Sequence, residues 1–419
     1  MDEMKFVAVL VGVEYSDMTY RIDTSMKELE GLANACNIEC AASIVQKLNT
    51  IHPRTYVGSG KVDEIKDLVR QTDANLVIMN EELSPAQLMN LEAELGIEVC
   101  DRTYLILEIF SQRAQTKEAV LQVKLARLQY LLPRLIGMNT GIYSQQGGSG
   151  FRGSGEKKLE LDRRRINKEM SKTSRELKEM VKQRQVQRGR RKKNEIPVIA
   201  LVGYTNSGKS TLMNQMLVYC DKSEKQVLAK DMLFATLETS TRQITLPNHQ
   251  KALIVDTVGF VDQLPHGLIK AFRSTLEEVK EADLLLHVVD ASNRNYEVQK
   301  EVTNKVLKEL DAGDIPMLYV FNKMDVCDQV LVANLEDTVY MSALKDQDIV
   351  KLLERVSEML YKEYNTYRFT IPYEQSNLFA LLKAEGSIQS FEQVEDGYQV
   401  EALLKSEEWN DVMRKLEGK

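Results

Sequence analysis

The sequence predicts an α/β chain, in which sheets wrapped by helices are interrupted by one long helical stretch and followed by a small α+β unit. Three observations carry this reading. Apolar runs of strand length alternate with helical stretches over residues 1–110 and again over 195–364, the pattern of parallel sheets. One such run, Val198 to Val202, enters a glycine-rich turn and then a helical stretch from Ser210. Between the two α/β parts, residues 111–194 read as helix, glycine-rich loop and helix.

In chain order, Lys5–Val13 is an apolar strand. Ser25–Asn37 is a helix with Met26, Leu29, Leu32 and Ala33 on one face and Ser25 as its expected cap. Strands are expected at Ile38–Val45, Asn75–Met79 and Ile97–Cys100, and helices at Lys61–Gln71 and Ser84–Leu95. Ser84-Pro85 is a good helix opening because Pro fits the first turn. Gly58-Ser59-Gly60-Lys61 looks like a phosphate loop, but Thr55 stands where its first glycine belongs, so a helix-entry turn is expected.

From Thr103 to Arg134 the pattern is helical, with Leu121, Leu125, Leu128 and Leu132 as a stripe and Pro133 as an interruption. Gly137 to Gly155 holds seven glycines and is expected to be a loop. A second helix, Glu156 to about Lys193, carries Leu159, Ile166, Met170, Leu177 and Val181. Together these suggest an antiparallel hairpin with a glycine-rich tip. Residues 365–419 read strand, helix, strand, strand, helix: Arg368–Ile371, Gln375–Ala384, Ser387–Val394, Gly397–Leu403 and Glu407–Leu416.

Charge narrows the partner class. The net charge is −7, yet Arg152 to Lys193 carries 17 Lys and Arg against 6 Asp and Glu. A basic element on an acidic chain points to nucleic acid bound by that element. At the tip, glycines permit close backbone approach, Arg152 suits a phosphate and Phe151 suits an unpaired base. Five scattered cysteines suit a reducing, cytoplasmic setting, and no membrane span or secretory signal is visible.

Gly203-Tyr204-Thr205-Asn206-Ser207-Gly208-Lys209-Ser210-Thr211 has the spacing of a phosphate-binding loop. Its glycines allow successive N–H groups to face an anion, and the following helix adds its positive end. Lys209 is the expected partner of the β- and γ-phosphates, and the Ser210 hydroxyl is an expected Mg²⁺ ligand. Asp256-Thr257-Val258-Gly259 ends a strand as D-x-x-G. Asp256 is expected to hold Mg²⁺ through water, and the Gly259 N–H to meet the γ-phosphate. Asn322-Lys323-Met324-Asp325 ends another strand. A carboxylate there accepts two hydrogen bonds from guanine, a donor pair that adenine lacks. Ser342-Ala343 follows a third strand and backs the guanine O6. Nucleotide ligands in open α/β sheets bind where these motifs stand, at the carboxyl ends of strands.

With these motifs the chain resembles translation-type GTPases, and specifically the HflX family of ribosome-associated GTPases. Phe234-Ala235-Thr236-Leu237 in the first switch and Asp256 to Phe260 in the second carry the resemblance. So do His52-Pro53-Arg54, Gly58 to Lys61, Gly150 to Glu156 and Leu159 to Arg165. The chain departs at Glu238-Thr239-Ser240-Thr241-Arg242, where the family more often has D-P-T-T-R. The resemblance implies a P-loop GTPase domain at 195–364, an N-terminal α/β domain at 1–110, a helical hairpin at 111–194 and a small C-terminal α+β domain at 365–419. It implies GTP as substrate, GDP as product, and Mg²⁺ held by Ser210, Asp256 and Thr236. Lys209, Thr236 and Gly259 are the implied catalytic residues, with Phe234 and Ala235 beside them. The implied partner is the ribosome, chiefly its large subunit, which family members split or rescue under stress. A monomer is expected. Phe260 follows D-x-x-G where many GTPases have a water-orienting Gln, so hydrolysis is expected to need a partner. The alternative is a regulatory GTPase whose basic hairpin docks a protein.

Overall fold

The computed structural model describes residues 6–15, 21–144, 152–192, 196–221, 240–261, 278–328, 337–385 and 387–417. The chain divides into two compact units, one made mainly of the residues before 190 and the other mainly of those after it.

The first unit opens with β1 (Val7–Tyr15), α1 (Ile22–Ala35), β2 (Glu39–Leu48), α2 (Ser59–Thr72), β3 (Leu76–Met79), α3 (Pro85–Leu95) and β4 (Glu98–Asp101). The four strands form one parallel sheet in the order β2-β1-β3-β4. Period-two alternation assigns its faces. Val9, Val11 and Val13 pack with Ile65, Val69, Leu91 and Leu95 of α2 and α3, while Gly12 lies against Ile22 and Met26 of α1. Each buried aliphatic side chain contributes about 1.5–3 kcal/mol, which is what holds such short strands. Ser84 caps α3 as expected, accepting from Gln87 N–H in a capping box. Gly58 caps α2, its N–H donating to Gln46 Oε1 at 3.0 Å, so this stretch is a helix-entry turn.

Ser25 does not cap α1. The cap position is Arg21, and Ser25 is buried one turn inside the helix, its hydroxyl bonded to Asn80. Arg102, 2% exposed, explains this placement: its guanidinium donates to Ser25 and Asn80 and pairs with Glu28 at 2.9 Å. A buried charge needs such partners, and Ser25 is one of them.

The helical stretch after β4 is broken into α4 (Arg102–Arg113) and α5 (Lys117–Ser144). α5 continues through Pro133, Gly137 and Gly141, where an interruption and a loop were expected. Tertiary anchoring outweighs proline here. Arg134, one residue on, donates to Asp101 Oδ2 at 2.8 Å and to the Leu83 carbonyl, and it stacks over the Tyr130 ring. The buried face of α5 is Ala119, Val123 and Ala126, while the expected leucine stripe is only half-buried. α6 (Arg152–Lys192) starts four residues earlier than expected. Lys124 of α5 pairs with Glu169 of α6 at 2.7 Å. Phe151 lies outside the described residues.

The second unit contains β5 (Val198–Val202), α7 (Lys209–Asp221), β6 (Ser240–Thr245), β7 (Lys251–Asp256), β8 (Leu284–Asp290), α8 (Tyr296–Glu309), β9 (Met317–Asn322), β10 (Thr338–Tyr340) and α9 (Asp346–Leu360). Six strands pair in the order β10-β9-β8-β5-β7-β6, with only β6 antiparallel. Ile199 and Leu201 pack against Leu212, Met213 and Met216 of α7 and Leu352, Leu353 and Val356 of α9. β11 (Tyr364–Pro372), α10 (Ser376–Glu385), β12 (Ile388–Val394), β13 (Gly397–Lys405) and α11 (Ser406–Leu416) follow as an antiparallel sheet β11-β13-β12 under two helices. Leu403, Tyr361 and Tyr364 join this end to the core of the six-stranded sheet. The structure is thus a P-loop GTPase fold carrying an N-terminal α/β part, a long helical part and a C-terminal sheet.

Asp101 is fully buried and accepts four hydrogen bonds, from Leu83 N, Tyr104 N, Tyr130 OH and Arg134. Asp101→Asn should therefore lower stability by about 3–5 kcal/mol, since it leaves Arg134 as an uncompensated buried charge. The pair Asp101→Leu with Arg134→Met should recover only part of that loss, because Leu83 N, Tyr104 N and Tyr130 OH still lose their acceptor. Urea midpoints of the N-terminal unfolding transition, compared across the variants, check both outcomes.

Candidate nucleotide site

The loop between β5 and α7 is shaped by two glycines. Gly203 has φ +145, and a Cβ there would overlap the Val288 carbonyl. Gly208 has φ +94, and a Cβ there would overlap the Asn322 amide. Both positions need glycine on conformational and steric grounds. Asn206 takes the left-handed conformation at φ 59, which Asn tolerates. Between them Tyr204, Thr205 and Ser207 are buried. The hydroxyls of Thr205 and Ser207 have no hydrogen-bond partner among the described residues, a polar lining suited to an anion's oxygens.

Lys209 and Ser210 open α7, followed by the half-buried Thr211. The buried Lys209 ammonium donates to the carbonyls of Gly203 at 3.0 Å and Tyr204 at 2.8 Å, folding the loop around itself. Burial lowers its pKa to about 8, against the opposing pull of Asp256. The Ser210 hydroxyl donates to Asp256 Oδ2 at 2.7 Å. Two hard oxygen donors, one from each motif, therefore stand at a single point. They suit Mg²⁺, which takes few protein oxygens and keeps several waters.

Thr257 follows Asp256 and ties back to the sheet, donating to the Leu201 carbonyl at 2.6 Å. Val258, Gly259 and Phe260 come next and are buried. Phe234, Ala235 and Thr236 lie outside the described residues.

The base-reading motifs meet the phosphate loop through Asn322. Its amide donates to the Ser207 carbonyl at 3.0 Å and accepts from Ala343 N at 2.9 Å. Lys323 sits at φ 64 and pairs with Asp290 at 2.7 Å. Asp325 is exposed. A hydrogen bond from the Ser342 side chain holds its pKa below the usual carboxylate value. Ser342 N in turn donates to Asp348 Oδ2 at 3.0 Å.

Sequence reasoning missed β8, the strand that places Asp290, and α9, which places Asp348. The run Leu284-Leu285-Leu286-His287-Val288-Val289 had the required signal, a continuous apolar strand ending in an acid. His287 on β8 is 1% exposed, and burial lowers its pKa to about 3, so it is a neutral core residue.

Comparison with known proteins agrees with this arrangement. Residues 23–111 match the GTP-binding GTPase N-terminal family, 113–191 the GTP-binding GTPase Middle Region, and 198–323 the 50S ribosome-binding GTPase family. GTPase HflX of Alkalihalophilus pseudofirmus is 42% identical over 396 residues, covering 94% of this chain and 92% of that protein. GTPase HflX of Escherichia coli (strain K12) is 38% identical over 396 residues, covering 93% and 91%. A solved GTP-binding protein from Sulfolobus solfataricus in complex with GDP is 24% identical, covering 86% of this chain and 99% of that one, with a TM-score of 0.44. With phosphate-loop and base-reading motifs gathered at one sheet edge, and likeness to these relatives over nearly the whole chain, this protein belongs to the HflX family of GTP-binding GTPases.

Proposed function

We propose that this GTPase acts on the large ribosomal subunit, splitting or rescuing ribosomes under stress, with its hydrolysis accelerated by that partner. The observation that carries the reading is that one chain holds both a nucleotide site and α6, a helix of strongly basic sequence whose described side chains are largely exposed. The match of 198–323 to the 50S ribosome-binding GTPase family supports it. No observation favours a protein-docking role for the hairpin. Among the described residues no helix is long and apolar enough to cross a membrane. The reading includes a cytoplasmic, monomeric protein divided at 1–110, 111–194, 195–364 and 365–419.

In this reading Gly203 to Thr211 hold the phosphates through backbone N–H groups, and Lys209 neutralises the β- and γ-phosphates. Ser210 and Asp256 would hold Mg²⁺, Asp256 through water, and Thr236 would join them in the GTP state. Mg²⁺ supplies charge neutralisation of the phosphates. Thr236 and Gly259 sense the γ-phosphate, and its loss releases both switches. Asn322 and Lys323 position the base loop, Asp325 accepts from guanine, and Ser342 and Ala343 back it. Phe260 has no group to orient water, so the intrinsic rate is low.

Replacing Asp325 by Asn should weaken GTP binding by about 2–4 kcal/mol, because one acceptor becomes a donor facing guanine's donors. Preference should move toward xanthosine nucleotides. Isothermal titration with both nucleotides reads this, and unchanged GTP affinity rejects Asp325 as the base reader.

The ribosome reading is tested by GTP turnover and co-sedimentation with ribosomes across a KCl series. Turnover should rise on adding ribosomes. Binding should fall steeply with salt as several RNA phosphates exchange Lys and Arg for counterions. No stimulation together with a flat salt dependence would reject it.

A further inference from the structure

The C-terminal sheet has an open side. Among the described residues β12 pairs with β13 alone, so its outer edge presents main-chain groups with no strand beside them. Proteins normally blunt such edges with lysine, proline or a covering element. Here the edge carries an aromatic platform instead. Phe379 of α10 stacks on Tyr398 at 4.1 Å and meets Phe391 edge-on at 5.0 Å, and Tyr373 meets Tyr398 at 5.1 Å. Phe391 and Tyr373 are 42% and 45% exposed. Phe391 opposes Val400 in register, which puts it on the helix-covered face at the sheet rim.

The rim around these rings is acidic. Glu374, Glu392, Glu395 and Asp396 are exposed, and none of them forms an ion pair among the described residues. The nearby cation, Lys383, lies over the rings of Phe379 and Phe391, at 5.6 and 4.7 Å. Over residues 365–419 acids outnumber bases ten to six, the reverse of α6.

We propose that the β12 edge is a docking site for an extended basic segment of a partner protein, which adds a strand to this sheet. Main-chain hydrogen bonds along β12 provide affinity, as in other strand-addition complexes. The rings receive apolar side chains on one face of the added strand, and the carboxylates select Lys and Arg on the other. RNA is repelled by the same carboxylates. A second copy of this chain would set like charges against each other.

The site is independent of the ribosome reading, and its test uses no ribosomes. Full-length protein is titrated into a labelled short peptide of alternating valine and lysine, with fluorescence anisotropy as the readout. Saturable binding is expected. It should weaken about tenfold in Glu392→Lys/Glu395→Lys and on N-methylating alternate peptide bonds, which blocks strand pairing. These two glutamates are exposed, so the variant should keep its fold, checked by unchanged GTP binding. Phe391→Ser should weaken binding similarly. No saturable binding, equal affinity in the charge-reversed variant, or equal affinity for the methylated peptide overturns the proposal. Two further results overturn it in favour of another occupant: tight binding of a uridine oligomer that Phe391→Ser abolishes, or a sedimenting dimer that the charge reversal disrupts.

Discussion

One side-chain amide ties the nucleotide site together. Asn322 is buried at the end of β9 and bonds at once to the loop after β5 and to the loop after β10. Each bond is worth only about 0.5–1.5 kcal/mol net, but leaving either buried group unpaired costs about 1–3 kcal/mol. The amide therefore sets the spacing between a cradle for phosphates and a cradle for a base. It also explains why Gly208 has no room for a side chain, since the space beside that glycine is already filled by Asn322. The glycine and the amide are a single constraint read from two places in the chain.

Elements decided locally were legible from the residues. β5 was placed to the residue, and the Ser84-Pro85 opening of α3 and the strands of the C-terminal sheet came within a few positions. Errors arose where distant residues decide. Pro133 and the glycines after it argue for a loop, but Arg134, held by Asp101 from an earlier strand, keeps the helix going. Ser25 has the chemistry of a cap, but a buried guanidinium seventy-seven positions away recruits its hydroxyl. The leucine stripe of α5 was visible, but which face of a helix is buried depends on what lies against it. At the site, the phosphate-loop and base-reading motifs could be read off because each is a short, contiguous signature at the end of an apolar strand. Asp290 and Asp348 could not, because they act by holding other residues in place.

The chain uses charge in three ways. In the first unit, Asp101 at the end of β4, Arg102 at the start of α4 and Arg134 on α5 are sunk among partners, where breaking a pair costs more than making it returned. In α6 the described Lys and Arg side chains stand exposed to solvent, where a charge costs little to keep. At the nucleotide site Lys209 is buried with its charge directed at backbone carbonyls, a group whose charge is shielded from water.

The length of α6 has a mechanical consequence. Forty-one residues in one helix make a rod of about 60 Å. A rotation of about 5° at one end displaces the other by about 5 Å, the width of a β-strand spacing. A small angular change at one end of such a rod is therefore magnified along its length. The exposed i, i+4 pair Glu160–Arg164 and the i, i+3 pair Glu179–Lys182 brace successive turns of this rod, beside the buried Thr173 and Leu177.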